Sequence, residues 1–200
     1  MRRREFIAGL GAVTAWPLAA RAQQAALPVI GFVYGGSADQ LAGYVAMFRE
    51  GLGEAGYVEG QSVTVEYHWL EGQYERVPAL IADLVRRRVA VIAAAGFTQG
   101  ALAAKAATAT IPIVFGVADD PVKLGLVASL ARPGGNATGI NFFFNQVVAK
   151  RLGLLHDLVP KAVRIAVLVN PANTPVTEAT LRDIPEAADR AANSSSQGQQ

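Results

Sequence analysis

Asp119 and Asp120 are adjacent carboxylates, a pairing that could share acid–base work or hold a cation. Ser37 and Thr98 offer hydroxyls, Gln99 an amide, and Phe97 and the run Phe142-Phe143-Phe144 flat apolar rings. Hydroxyls and backbone amides at the start of a helix suit a carboxylate, and rings stack on a planar ligand. Covalent and metal chemistry find less support. His68 and His156 stand far apart, without the spacing of metal ligands. The chain has no cysteine, which excludes a thiolate nucleophile, a thiolate zinc site and a disulfide scaffold. There is no GxSxG elbow, Gly35-Gly36-Ser37 lacks the GxGxxG spacing, and no Walker lysine follows it.

Each candidate also has a structural reading. Gly35-Gly36-Ser37 is either a tight turn with a helix cap or a ligand contact. The Thr98 hydroxyl either caps the amides of the helix that follows or helps them receive a carboxylate. Asp120 before Pro121 has the form of an N-cap with proline at the first helical position, although a carboxylate beside a cleft can also bind an ammonium. Asp119 is the less constrained of the two. Phe97 and the three consecutive phenylalanines belong either to a core or to a stacking surface; in a strand, consecutive rings point to alternate sides.

These residues fall in loops between alternating strand and helix patterns. Apolar runs at 29–34, 89–95 and 113–117 read as buried strands, and 138–143 as a further one. Val63, Val65, Tyr67 and Trp69 alternate with polar residues, as in a strand with one wet face. Leu41, Tyr44, Val45, Phe48 and Leu52 recur at helical spacing before Gly56. Val77, Leu80, Ile81, Leu84 and Val85 do the same behind Pro78. An alanine-rich helix is expected over 99–108 and a short helix over 121–130. A longer helix is expected before Pro160, a sixth strand over 163–169 and a last helix over 174–192. Such alternation predicts an α/β fold, a doubly wound parallel sheet of order 2-1-3-4-5. In such sheets ligands bind beyond the carboxyl ends of the strands, where the loops carrying Ser37, Phe97, Thr98, Gln99, Asp119 and Asp120 converge.

The chain has 200 residues, 52% of them hydrophobic, which is too apolar for a wholly disordered chain. Its formal charge is +2. Residues 1–22 explain that sign. Arg2, Arg3 and Arg4 precede an apolar stretch that is short and broken by Pro17, and Ala20-Arg21-Ala22 forms a small-residue cleavage site. These are the parts of an export signal, and Arg3-Arg4 fits the twin-arginine variant as well as the general secretory route. Removing residues 1–22 takes four arginines and Glu5, so that the basic count falls from 18 and the acidic count from 16 to a near-balance of slightly negative sign. No nucleic-acid partner is expected of such a chain. Arg86-Arg87-Arg88, the remaining basic run, reads as a solvated helix end.

Several blocks resemble one family. They are Glu54-Ala55-Gly56-Tyr57-Val58-Glu59-Gly60-Gln61, Glu71-Gly72-Gln73-Tyr74, Ala101-Leu102-Ala103-Ala104-Lys105, Asp120-Pro121-Val122-Lys123-Leu124-Gly125-Leu126-Val127 and Arg132-Pro133-Gly134-Gly135-Asn136-Ala137-Thr138-Gly139. Lys150-Arg151-Leu152 and Leu155-His156-Asp157-Leu158-Val159-Pro160 continue the series. Together they are similar to the ABC transporter substrate-binding proteins of the tryptophan/tyrosine-binding type. The resemblance implies a periplasmic protein, not an enzyme, that needs no cofactor. It would close two lobes on a small solute such as an amino acid or an aromatic carboxylate, and act as a monomer beside an inner-membrane permease. It implies first-lobe contacts at Ser37, Thr98 and Asp120, with Phe97, Gln99 and Asp119 beside them. The matching organisation is an export signal over 1–22, a first lobe over 27–145, an inter-lobe helix over 146–160, the start of an incomplete second lobe over 161–192, and a disordered polar tail over 193–200.

Two departures qualify the likeness. Many relatives carry Thr-Pro-Ser where this chain has Thr98-Gln99-Gly100, so the ligand is expected to differ. Relatives also run on for roughly another hundred residues, a domain's worth, which makes a truncated product the expectation. Two other readings stand beside solute capture. One is an exported flavodoxin-like hydrolase using Asp119 and Asp120, and the other is a non-functional truncated fragment.

Overall fold

The computed structural model describes residues 26–144, 147–162 and 164–197. The export signal over 1–22 lies outside the described residues. In chain order the elements are β1 (Val29–Tyr34), α1 (Ala38–Glu54), β2 (Thr64–Trp69), α2 (Val77–Arg87), β3 (Val91–Ala94) and α3 (Thr98–Ala107). They continue with β4 (Ile113–Val117), β5 (Ala137–Asn141), α4 (Val148–Leu158) and α5 (Thr174–Gln197). The five strands form one parallel sheet in the order β2-β1-β3-β4-β5, as the alternation predicts. Ile30 sits between Val65 and Val91, and Ile113 between Ile92 and Ala137.

Strands β1, β3 and β4 are apolar throughout, and the sheet feeds two cores. Val33, Ile92, Ala94, Ile113 and Phe115 face α2 and α3, together with Ile81, Leu84, Ala101 and Ala104. Ile30, Phe32, Val65 and Ala93 face α1, where Leu41 and Val45 meet them. Small residues set the spacing of the first layer. Ala101 and Ala104 are completely buried, and a Cβ at Gly31 would lie 2.9 Å from the Leu84 methyls, so α2 and α3 lie close on the sheet. Gly56 at φ +83 ends α1 in a Schellman motif, with Tyr57 N–H donating to the Leu52 carbonyl at 2.8 Å and Gly56 N–H to that of Gly53 at 2.9 Å.

Strand β2 is an edge strand, and its wet face is tied to the end of α2. Arg87 forks onto Glu66, Nη1 to Oε1 at 2.9 Å and Nη2 to Oε2 at 2.6 Å, and its Nε donates to Asp83 at 2.8 Å. Arg86 also pairs with Asp83. The basic run is thus an ion-paired helix end. Hydrogen bonds to charge hold the Glu66 carboxyl below the usual glutamate range, chiefly that from Arg87.

Four expectations need correction. The helix expected over 121–130 is a set of turns. Gly125, at φ +72, stops any helical advance within a few residues of Pro121, and Leu126 and Val127 then drop into the core. The three phenylalanines lie beyond β5, which ends at Asn141; Phe143 takes a positive φ of 56° there, with its N–H donating to Asn141 Oδ1 at 2.8 Å. The sixth strand expected over 163–169 is irregular chain over its described residues 164–169. It has no neighbouring strand to pair with among the described residues, and Leu168 is 99% exposed. The polar tail expected from residue 193 continues α5 as far as Gln197, since neither glycine nor proline interrupts the sequence between Pro185 and Gly198. Proline within α5 removes one backbone hydrogen bond at Pro185.

Beyond β3 the α1 face of the sheet is only thinly covered by the described residues. Val114 and Ile140 point to the same side as Ala93, but the α1 core stops at Ala93, and Ile140 is 60% exposed. Helix α4 packs against α5, and α5 touches α3.

Candidate functional site

The carboxyl ends of β1, β3 and β4 open on the α1 side into a crevice of about 370 Å³. Its floor is Ala95, Gly96 and Ala118. Leu41 and Tyr44 of α1 form one wall with Tyr34, and Phe142 and Phe144 form the other. Those two rings stack, with centroids 5.6 Å apart and 19° between planes. Asn173 and Val176 at the start of α5 close the third side.

Backbone geometry sets this shape. The turn after β3 passes through Gly96 at φ +70 and leads directly into α3, whose first residue is Thr98. Thr98 is only 4% exposed yet borders the crevice. In β4, Gly116 lets the Phe142 ring rest on the strand, for a Cβ there would sit 3.0 Å from both that ring and the Gly96 nitrogen. Burial pushes the Tyr34 phenol above its ordinary pKa, with Tyr74 and Tyr44 adding to the rise, so Tyr34 is a neutral hydroxyl at physiological pH. The crevice therefore combines aromatic faces with a few uncharged polar groups, the composition of a small-molecule site.

The α5 side is held by a compact turn. Asn170 Oδ1 accepts the Ala172 N–H at 3.1 Å, and the Asn170 carbonyl accepts the Asn173 N–H at 3.0 Å and the Thr177 hydroxyl at 2.5 Å. Gln99 Nε2 then donates to the Ala172 carbonyl at 3.1 Å and joins the turn to α3.

The structure distributes the sequence candidates over several roles. Thr98 borders the crevice, as its first helical residue and not as the residue before the helix; no side-chain cap bond forms there. Gln99 reaches the opposite wall. Phe97 is 3% exposed and stacks on Tyr74 at 5.5 Å, so it belongs to the core. Ser37 caps α1, with its N–H donating to Gln40 Oε1 at 3.3 Å. Asp119 and Asp120 line a separate crevice of about 410 Å³ with Lys123, Glu178 and Arg182. Asp120 Oδ1 accepts the Val122 N–H at 2.9 Å, a turn-forming bond that matches its structural reading. Among the described residues no three His, Cys, Asp or Glu side chains are disposed to hold a metal, and no helix is long and apolar enough to cross a membrane.

Sequence reasoning missed Tyr34, Tyr44, Asn173 and Val176 as wall residues. Tyr34 and Tyr44 carried a usable signal. Tyr34 ends β1 at its carboxyl end, and Tyr44 follows Leu41 by three residues on one helix face. Asn173 and Val176 carried none, because their place depends on how the chain returns after α4.

Known proteins resemble this arrangement. A tyrosine-binding protein of Clostridioides difficile is 32% identical over 123 residues, 62% of this chain and 35% of that protein. A solved conserved domain protein from Vibrio cholerae superposes with a TM-score of 0.69 at 26% identity, over 82% of this chain and 54% of the other. An ABC domain from a pneumococcal Streptococcus, solved in complex with L-Trp, superposes with a TM-score of 0.52 at 26% identity, over 58% and 39%. The chain thus spans about a third to a half of the length of these relatives. The family model described as ABC transporter substrate binding protein matches residues 7–189, nearly the whole sequence and all five strands of the sheet. On that match, the chain is a member of the ABC transporter substrate-binding protein family.

Proposed function

We propose that this chain captures a small solute with an aromatic or apolar body and polar ends, holds it unaltered, and presents it to an ABC permease. The observation that carries the reading is the crevice at the carboxyl ends of β1, β3 and β4. Tyr34, Tyr44, Phe142 and Phe144 supply ring faces there, and Thr98 supplies a hydroxyl at a helix start. The names of its relatives, one tyrosine-binding and one solved with L-Trp, support an aromatic amino acid or a close analogue as the solute. Among the described residues the lining includes no acidic, basic or histidine side chain, which suits gripping better than bond-breaking.

In this reading residues 1–22 direct export to the periplasm, by the twin-arginine or the general route. Residues 27–145 form a first lobe, residues 146–160 a connecting helix, and residues 161–192 the beginning of a second lobe. Thr98 contacts the solute, and Gln99 supports the wall opposite. The chain works as a monomer, without a cofactor.

A thermal-shift screen of the chain with amino acids and aromatic carboxylates tests the proposal. Saturable stabilisation by an aromatic member of the library is the expected result. A flat response across the whole library overturns it.

A further inference from the structure

Gly35 and Gly36 follow β1 without a positive φ, so the backbone there does not call for glycine. They make room for rings. A Cβ at Gly35 would lie 2.6 Å from Cε1 of Tyr74, and one at Gly36 would lie 2.8 Å from Cε1 of Tyr34. On its other edge, Tyr34 Cε2 lies 3.8 Å from where a Cβ would stand at Gly96, in the crevice floor. The two Cε atoms flank the carbon that carries the hydroxyl, so the phenol end of Tyr34 rests between Gly36 and that floor. Trp69 meets the ring edge-on, with centroids 6.2 Å apart and 80° between planes. Burial and the phenols of Tyr74 and Tyr44 act on the Tyr34 hydroxyl, but no hydrogen bond to a described residue does. Nor is it one of the buried polar atoms that lack a partner, so a solute in the crevice can reach it.

We propose that Tyr34 is a specificity-determining residue of this crevice, its hydroxyl donating to a carboxylate oxygen of the solute at the crevice floor. The inference rests on the solute-binding reading and adds to it the residue that selects acids. The neighbouring polar groups are donors too. Thr98 brings a hydroxyl, and the first turn of α3 has no side-chain cap on its amides. A carboxylate is the solute group that accepts several donors at once, and a hydrogen bond to it is about twice as strong as one between neutral groups. The phenol keeps its proton at physiological pH because burial raises its pKa, so it is present as a donor. A solute that carries an alcohol in place of the acid takes a weaker bond from the same hydroxyl, and discrimination follows from that difference.

Isothermal titration of the full chain with two matched pairs tests this. The acids are L-tryptophan and 3-phenylpropionate, and each is set against its alcohol, L-tryptophanol and 3-phenylpropan-1-ol. At least one acid should bind the parent chain about tenfold or more tighter than its alcohol. Tyr34→Phe keeps the ring and its contact with Trp69 and removes only the hydroxyl. It should weaken that acid by at least about fivefold and change the alcohol by less than about twofold. The urea midpoint should not move, because the hydroxyl holds nothing in the unliganded chain. A smaller loss for the acid in Tyr34→Phe overturns the assignment and leaves solute binding standing. An equal loss for acid and alcohol also overturns it, since that marks a displaced ring. No saturable binding of either acid to the parent chain overturns the assignment, and the wider thermal-shift library then decides separately whether solute binding stands.

Discussion

The Gln99 side chain spans from the first turn of α3 to the Ala172 carbonyl, 3.1 Å away, and so joins two walls of one crevice. The bond is solvent-exposed and forms within the unliganded chain, so its loss in Gln99→Ala removes about 0.5–1 kcal/mol of stability at most. Denaturation should show that small loss, and titration calorimetry a drop in solute affinity of no more than about fivefold, because the wall it ties is less firmly held. Gln99→Glu sets a carboxylate against the carbonyl and should weaken binding further.

Phenylalanines at and near the crevice should separate by role. Phe97 is buried against Tyr74, and Phe97→Ala opens a cavity worth about 3–5 kcal/mol of stability, measurable by urea denaturation. Phe142 and Phe144 are exposed and stack on each other. Phe142→Ala should leave the denaturation midpoint nearly unchanged and weaken an aromatic solute by about 1 kcal/mol or more.

Position 116 tests the contact between ring and strand. In Gly116→Ala the new methyl meets the Phe142 ring and the Gly96 nitrogen at 3.0 Å, and the nitrogen is backbone that cannot swing away. The ring must move, at a cost of about 1–3 kcal/mol. Solute affinity should fall alongside the midpoint, whereas Phe142→Ala lowers affinity alone.

Acid should loosen β2 from α2. The Glu66 carboxyl is held below its ordinary value of 4.5, chiefly by Arg87, so the unfolded chain binds that proton more tightly than the folded one. The pair therefore stabilises the fold at neutral pH, and the contribution is lost as pH falls from about 4.5 through the lower folded-state value. Both partners are partly solvated, which limits the effect to about 1 kcal/mol. Denaturation midpoints measured from pH 6 to pH 3 (approximately the range that brackets this titration) should fall less steeply in Glu66→Gln than in the parent chain.

Strand order and both cores were legible because buried parallel strands are apolar on both faces, as Val29–Tyr34 and Ile113–Val117 are. What the sequence hid depends on long-range placement. Val163, Ile165, Val167 and Val169 have strand periodicity, but a strand needs a neighbour, and none lies beside the described part of that run. Gly125 looked like an ordinary helix residue until its positive φ placed it at the end of a turn. That Thr98 borders the crevice was legible because it follows β3 at a helix start. Phe97 shares that position in the chain, but its ring turns inward onto Tyr74, and loop position alone does not report that.

The side of β4 and β5 that the described residues cover thinly grades the sheet from rigid to yielding. Ile92 in β3 is enclosed on both sides by strands and helices, whereas Ile140 meets solvent and β5 has no outer partner among the described residues. Amide protons should then exchange slowest in β3 and fastest in β5. Phe142 extends from that fast-exchanging strand, so the wall nearest an arriving guest is also the one that breathes.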